Sequence, residues 1–206
     1  MEMNLDGYGL PRPEIFEWTH ELETIEKLAF SLLFACFTGL LAQVRLPLFF
    51  TPVPVTGQTF GILLGAVLLG KHWGGISAGM YVGAGAFGVP WFSGWSGGLA
   101  SLTGATGGYL IGFIVASFVV GYAVDKYSLS RNFSGMLGLL FFANFVLIYG
   151  FGLANLYIWT SVVGGTSIGL LELLMMGAVP FVVGDVFKLV VTSGLATWLT
   201  PKKKPV

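Results

Sequence analysis

Three ionisable residues stand within or beside apolar stretches that otherwise carry almost no charge: Arg45, Asp185 and Lys188. Arg45 follows the first apolar stretch, in Val44-Arg45-Leu46-Pro47. Asp185 and Lys188 lie three residues apart in Pro180-Phe-Val-Val-Gly-Asp185-Val-Phe-Lys188, a spacing that puts both on one helix face. Ionised groups at membrane depth are costly and persist where they meet a partner or a ligand. One anion and two cations could converge on a small polar ligand with a negative charge of its own. The same spacing also fits a structural ion pair, and Arg45 also fits an interfacial anchor.

The elements that would hold these groups are membrane spans. The chain has 206 residues, 55% hydrophobic and 10% charged, against about 25% charged in soluble domains. It therefore reads as an all-α integral membrane bundle. Six apolar helices are expected, near Leu28 to Val44, Phe60 to Gly70, Gly74 to Val89, Gly107 to Val124, Gly135 to Trp159 and Ala178 to Leu199. Ile168 to Met176 reads as an interfacial helix. Three parts follow: a polar acidic N-terminal tail over 1–27, the membrane domain over 28–200, and a basic tail over 201–206. Seven Asp or Glu residues precede Lys27, and that segment has no signal-peptide pattern. One cysteine, Cys36, excludes a disulfide or a cysteine-based zinc cluster within the chain.

Basic residues cluster on alternate connections: Lys71 and His72, Lys126 and Arg131, then Lys202, Lys203 and Lys204. The positive-inside rule makes those cytoplasmic, with both termini inside a cell membrane. The opposite connections are long and rich in Gly, Pro and Trp, notably Thr51-Pro-Val-Pro-Val-Thr-Gly-Gln58 and Pro90-Trp-Phe-Ser-Gly-Trp-Ser-Gly-Gly98. Loops of that kind usually build sites.

Two motifs point the wrong way. Gly65-Ala-Val-Leu-Leu-Gly70-Lys71-His72 nearly spells a phosphate-binding loop, but His72 replaces the hydroxyl that holds magnesium. Gly83-Ala-Gly85-Ala-Phe-Gly88 matches a dinucleotide fingerprint without its strand-turn-helix context. Nucleotide binding, a metal site and nucleic-acid binding are not expected. Small residues recur every fourth position, as in Ser31, Ala35 and Gly39, or Gly75, Gly79 and Gly83. Such stripes let helices approach closely, within the bundle or at a separate subunit.

The stretch Leu41-Ala-Gln-Val-Arg-Leu-Pro-Leu-Phe-Phe-Thr-Pro-Val-Pro-Val-Thr-Gly-Gln-Thr-Phe60 resembles the BioY family, the biotin-binding S components of energy-coupling-factor (ECF) vitamin transporters. Gly85-Ala-Phe-Gly-Val-Pro-Trp-Phe92, Gly104-Ala-Thr-Gly-Gly-Tyr-Leu-Ile-Gly-Phe113 and Pro180 to Lys188 extend the match over about Leu28 to Leu199. Ala105 departs from it, standing where the family usually has proline. The resemblance implies a six-transmembrane-helix bundle of the ECF S-component type that captures biotin from outside, without cofactor. It implies partners too: a membrane coupling subunit with two cytoplasmic ATPases, docked on helix one at Ser31, Ala35 and Gly39.

Biotin offers two ureido N–H donors, a carbonyl, a thioether and a carboxylate. Asp185 accepts only and suits the N–H groups, while Lys188 donates only and suits the carbonyl or carboxylate. Arg45 could bind the carboxylate with two parallel bonds. Gln58, Tyr109 and Trp91 complete the candidate contacts, Gln58 by donating and accepting, the aromatics by covering the ring and tail. Gln58 and Tyr109 fit a packing role equally well, and Trp91 and Trp95 also fit a membrane interface. Two further readings compete. An integral membrane enzyme with a carboxylate-lysine site would need a third catalytic group facing Asp185. A channel would need more than one charged stripe.

Overall fold

The structure, a computed structural model, describes residues 22–165 and 168–200. Most of the acidic tail, with His20, and the basic tail with Lys202, Lys203 and Lys204 lie outside the described residues.

Helix α1 runs Thr24–Gln43. It starts inside the segment assigned to the tail, because the Glu23 N–H donates 2.9 Å to Glu26 Oε2 and closes the first turn. A two-residue antiparallel ribbon follows: β1 Arg45–Leu46 pairs with β2 Val55–Thr56, Arg45 opposite Thr56 and Leu46 opposite Val55. The Pro-rich loop between these strands folds inward. Val53 is buried, and the Thr51 hydroxyl donates 2.6 Å to the Met176 carbonyl.

Helix α2, Gln58–Ala86, contains the expected second and third spans in one hydrogen-bonded element. Gly70 is its non-helical residue, with φ 75° and ψ −170°. An L side chain is strained there, and a Cβ would sit 2.7 Å from Asp125 Oδ1. The chain doubles back at this point without a loop. Gln58 Nε2 donates to the Tyr81 hydroxyl at 2.7 Å across 23 residues, a separation of roughly 34 Å in an unbroken helix. The two arms, 58–69 and 71–86, are therefore two spans.

The short helix α3, Leu99–Thr103, leads into α4, Gly107–Lys126, which packs mainly on α2. Arg131, 2% exposed, closes the far end of α4: its guanidinium donates to the carbonyls of Val124, at 2.9 Å, and Asp125, at 3.4 Å. A cation on the last carbonyls of a helix satisfies acceptors that have no intrahelical donor.

The fifth span is longer than its predicted limits and is not α-helical throughout. Helix α5, Phe133–Phe142, passes into a π turn, Ala143–Ile148, and then into α6, Tyr149–Val163. A Cβ at Gly112 of α4 would lie 2.8 Å from Ile148 Cα, so that glycine lets α4 lie against the π turn. The expected interfacial helix is present as α7, Leu170–Gly177, joined by a 3₁₀ turn, Val179–Phe181, to the last span, α8, Val182–Leu199.

The whole is an all-α bundle with a core of Leu63, Val67, Tyr81, Val120, Leu156 and Leu189. Leu32, Leu40, Val146, Val183 and Phe187 point outward. A soluble bundle would hide such residues; a bilayer solvates them. At one end stand the ribbon, the loop around Trp95 and the first turn of α8. At the other, Lys71 and Lys126 each hold an ammonium 5.0 Å from the Tyr122 ring.

Candidate functional site

Asp185 lies in the first turn of α8, 3% exposed. Unpaired backbone N–H groups and the positive end of the helix dipole favour an anion there. Its Oδ1 lies 2.5 Å from Lys188 Nζ. Its Oδ2 accepts from the Tyr149 hydroxyl at 2.7 Å and from Asn144 Nδ2 at 3.0 Å. Lys188 Nζ also donates to the Thr56 carbonyl at 2.9 Å, so it links the ion pair to β2. The carboxylate is thus largely buried yet satisfied on both oxygens, the condition under which a buried charge persists.

The π turn explains how Asn144 and Tyr149 reach one oxygen. In an α-helix, residues five apart point about 140° away from each other. In a π turn the i→i+5 bond stacks them. That bond is present here, from the Tyr149 N–H to the Asn144 carbonyl.

A cavity of about 260 Å³ opens beside this cluster. Asp185, Lys188 and Tyr149 line it, together with Val53 of the folded-in loop and Val55 and Thr56 of β2. Phe92, Tyr109, Leu110 and Phe113 supply apolar lining, and Arg45 reaches the cavity from β1, its guanidinium against Gly94. The cavity therefore combines aromatic and aliphatic lining with hydroxyl side chains such as Thr59, Ser101 and Thr106, one carboxylate-ammonium pair, and a second cation at the ribbon.

Five of the six expected site residues meet here: Asp185, Lys188, Arg45, Gln58 and Tyr109. Two of them have side chains engaged elsewhere. Gln58 accepts from the Thr56 hydroxyl at 2.8 Å while donating to Tyr81. The Tyr109 hydroxyl donates 2.7 Å to the Gly177 carbonyl, leaving its ring to the cavity. The sixth, Trp91, does not line the cavity and is corrected. Its indole lies against Gly39 and donates from Nε1 to the Tyr81 carbonyl at 2.9 Å. Phe92, its neighbour, turns inward instead and fills the space left by Gly85.

The expected docking face is also corrected. Ser31, Ala35 and Gly39 are all buried against this chain's own elements. Ser31 Oγ donates to the Trp73 carbonyl at 3.3 Å, Ser77 Oγ donates to the Ser31 carbonyl at 2.8 Å, and Trp91 covers Gly39. The small residues admit the α2 hairpin, which leaves no room for a separate subunit on that face. The outward residues of α1 include Leu28, Leu32, Leu33, Cys36 and Leu40.

Sequence reasoning missed Asn144, Tyr149 and Gln43. Gln43 donates from Nε2 to the carbonyls of Gly39, Trp91 and Phe92 and accepts from the Trp95 N–H at 3.0 Å. It holds the loop in which Trp95 has φ 58°.

The BioY family model matches residues 16–204. The chain belongs to the BioY family. Among BioY relatives, the probable biotin transporter BioY of Methanothermobacter thermautotrophicus is 48% identical over 140 residues, covering 68% of this chain and 89% of the relative. The biotin transporter BioY of Thermotoga maritima is 36% identical over 167 residues, covering 78% and 89%. A crystal structure of the S-component for biotin from an ECF-type ABC transporter superposes with TM-score 0.75 at 28% identity, over 85% of this chain and 90% of that one.

Proposed function

We propose that this chain is the biotin-binding S component of an ECF-type importer. The observation that carries the reading is the Asp185–Lys188 pair set in the wall of a partly open cavity of mixed lining that Arg45 also lines. Biotin has the complementary layout: a hydrogen-bonding ureido ring at one end, an apolar middle and a carboxylate at the other. In this reading Asp185 accepts from the ureido N–H groups and Lys188 donates to the ureido carbonyl. Arg45 pairs with the valerate carboxylate. The rings of Tyr109 and Phe92 cover the thiophane ring and tail. Gln58 holds the floor of the loop through Thr56 and Tyr81.

Transport, not catalysis, is the work of this family. A carboxylate-lysine enzyme would need a further group set to react. The side chains around Asp185 instead pair with it and hold it in place. Coupling to ATP hydrolysis belongs to other chains, a membrane subunit with two cytoplasmic ATPases. The end bearing Lys71 and Lys126 is cytoplasmic by the positive-inside rule, and the cavity opens outside.

Calorimetry on the purified protein tests the ligand. The expected result is binding of biotin and none of riboflavin or thiamine. No heat with biotin alongside binding of another vitamin would overturn the assignment.

A further inference from the structure

We propose that Asn144 is a positioning residue for the ligand-binding carboxylate: it acts on affinity only through Asp185. The inference rests on the reading of Asp185 as a ligand contact. Asn144 is 0% exposed and does not line the cavity, so it cannot touch a ligand there. Its Nδ2 donates to Asp185 Oδ2, beside the Tyr149 hydroxyl. The two donors hold Oδ2 from the π-turn side, while Oδ1 faces Lys188. With one oxygen fixed by two donors, the plane of the carboxylate is fixed as well, and the lone pairs left over are aimed before the ligand arrives. Pre-set geometry of this kind removes an ordering cost from binding.

The other half of the amide tells against a purely structural role. Among the described residues, no side chain or backbone group donates to the buried Asn144 Oδ1. The amide orientation is fixed by chemistry, since turning it round would press Oδ1 against a carboxylate oxygen with no proton between them. A buried acceptor with no donor is destabilising. A leucine has the same branching without the polar atoms, so the acceptor half of the amide does not favour asparagine here. The donor does, and its target is Asp185. The π turn has the same logic. It is a departure from α geometry, and it brings Asn144 and Tyr149 together on Oδ2.

The test is a double-mutant cycle on the full-length protein in detergent, read by biotin calorimetry and by thermal melting. Asn144→Leu is expected to keep a cooperative melting transition in the ligand-free protein and to weaken biotin binding about tenfold, the loss of one hydrogen bond to a charged group. In an Asp185→Asn background the same substitution is expected to cost no further affinity. Asn144→Ala removes the same donor without bulk and reads identically if leucine does not fold. An unchanged biotin affinity in Asn144→Leu overturns the inference. So does an equal loss in both backgrounds, which would place the effect in the fold. Wild-type affinity in Asp185→Asn alone would instead remove Asp185 from the ligand site, and the inference would fall with that reading.

Discussion

The Tyr109 hydroxyl donates to the Gly177 carbonyl at 2.7 Å and thereby ties the start of α4 to the end of α7, across 68 residues. A Cβ at residue 177 would stand 2.7 Å from that hydroxyl, so the close approach depends on glycine. Tyr109 consequently has two separable parts: a hydroxyl that holds the bundle and a ring that faces the cavity. Tyr109→Phe is expected to lower stability by about 1 kcal/mol while keeping biotin affinity within a factor of about three. Tyr109→Ala is expected to weaken both. Melting and calorimetry on the two variants check this, and a large affinity loss in the Phe variant would assign the hydroxyl to the ligand.

Asp185→Asn keeps the shape of the side chain but removes the charge that strengthens its bonds to ligand N–H groups. Hydrogen bonds to charged groups contribute about 1.5–3 kcal/mol, so the dissociation constant should rise by about one to two orders of magnitude. Titration calorimetry reads the change directly.

Lys188→Met leaves the Asp185 carboxylate buried without its counter-charge, at a site where the two side chains are 5% and 17% exposed. Removing one partner of a buried pair destabilises more than removing both. The melting temperature should fall in the single variant. It should recover in part when Asp185→Asn is added. Full stability in Lys188→Met alone would show that Asn144 and Tyr149 suffice for the charge.

Ala35→Trp tests the interior position of the α1 face. Ala35 is 0% exposed between α1 and the α2 hairpin. Forcing bulk into a packed seam costs about 1–3 kcal/mol or more. The variant is expected to melt lower in isolation and to lose biotin affinity, because α2 carries Gln58 and Tyr81. Wild-type melting and binding, with uptake alone abolished, would return the face to a partner subunit.

Single cysteines at the exposed Ser96 and Ser128 in a Cys36→Ala background test sidedness. An impermeant thiol reagent on intact cells should label residue 96 and not residue 128. The opposite pattern reverses the topology.

The charged residues were legible in the sequence because an ionised group in an apolar run stands out on composition alone. Asn144 and Tyr149 were not. Each is unremarkable in a membrane helix, and five residues apart is no face of an α-helix; their meeting on Asp185 depends on a π turn that no propensity announces. Trp91 and Phe92 are adjacent aromatics in an irregular loop, where no period says which one turns inward. The stripe at Ser31, Ala35 and Gly39 correctly signalled a close helix approach. Small residues state how near a neighbour comes, not whether it belongs to the same chain. The six spans were also legible, but the join between the second and third was expected over Lys71 and His72 rather than at one residue.

That join has a consequence for direction. A straight helix over Gln58–Ala86 would carry the chain through the bilayer once; bent at Gly70, the same residues go through and return. Everything C-terminal to this position inherits the choice. Without the bend, the Trp95 loop and the first turn of α8 would emerge on the face opposite to Arg45, and Asp185 and Arg45 could never share a ligand. The backbone angle of one glycine, far from the cavity, is therefore a condition for the site to exist.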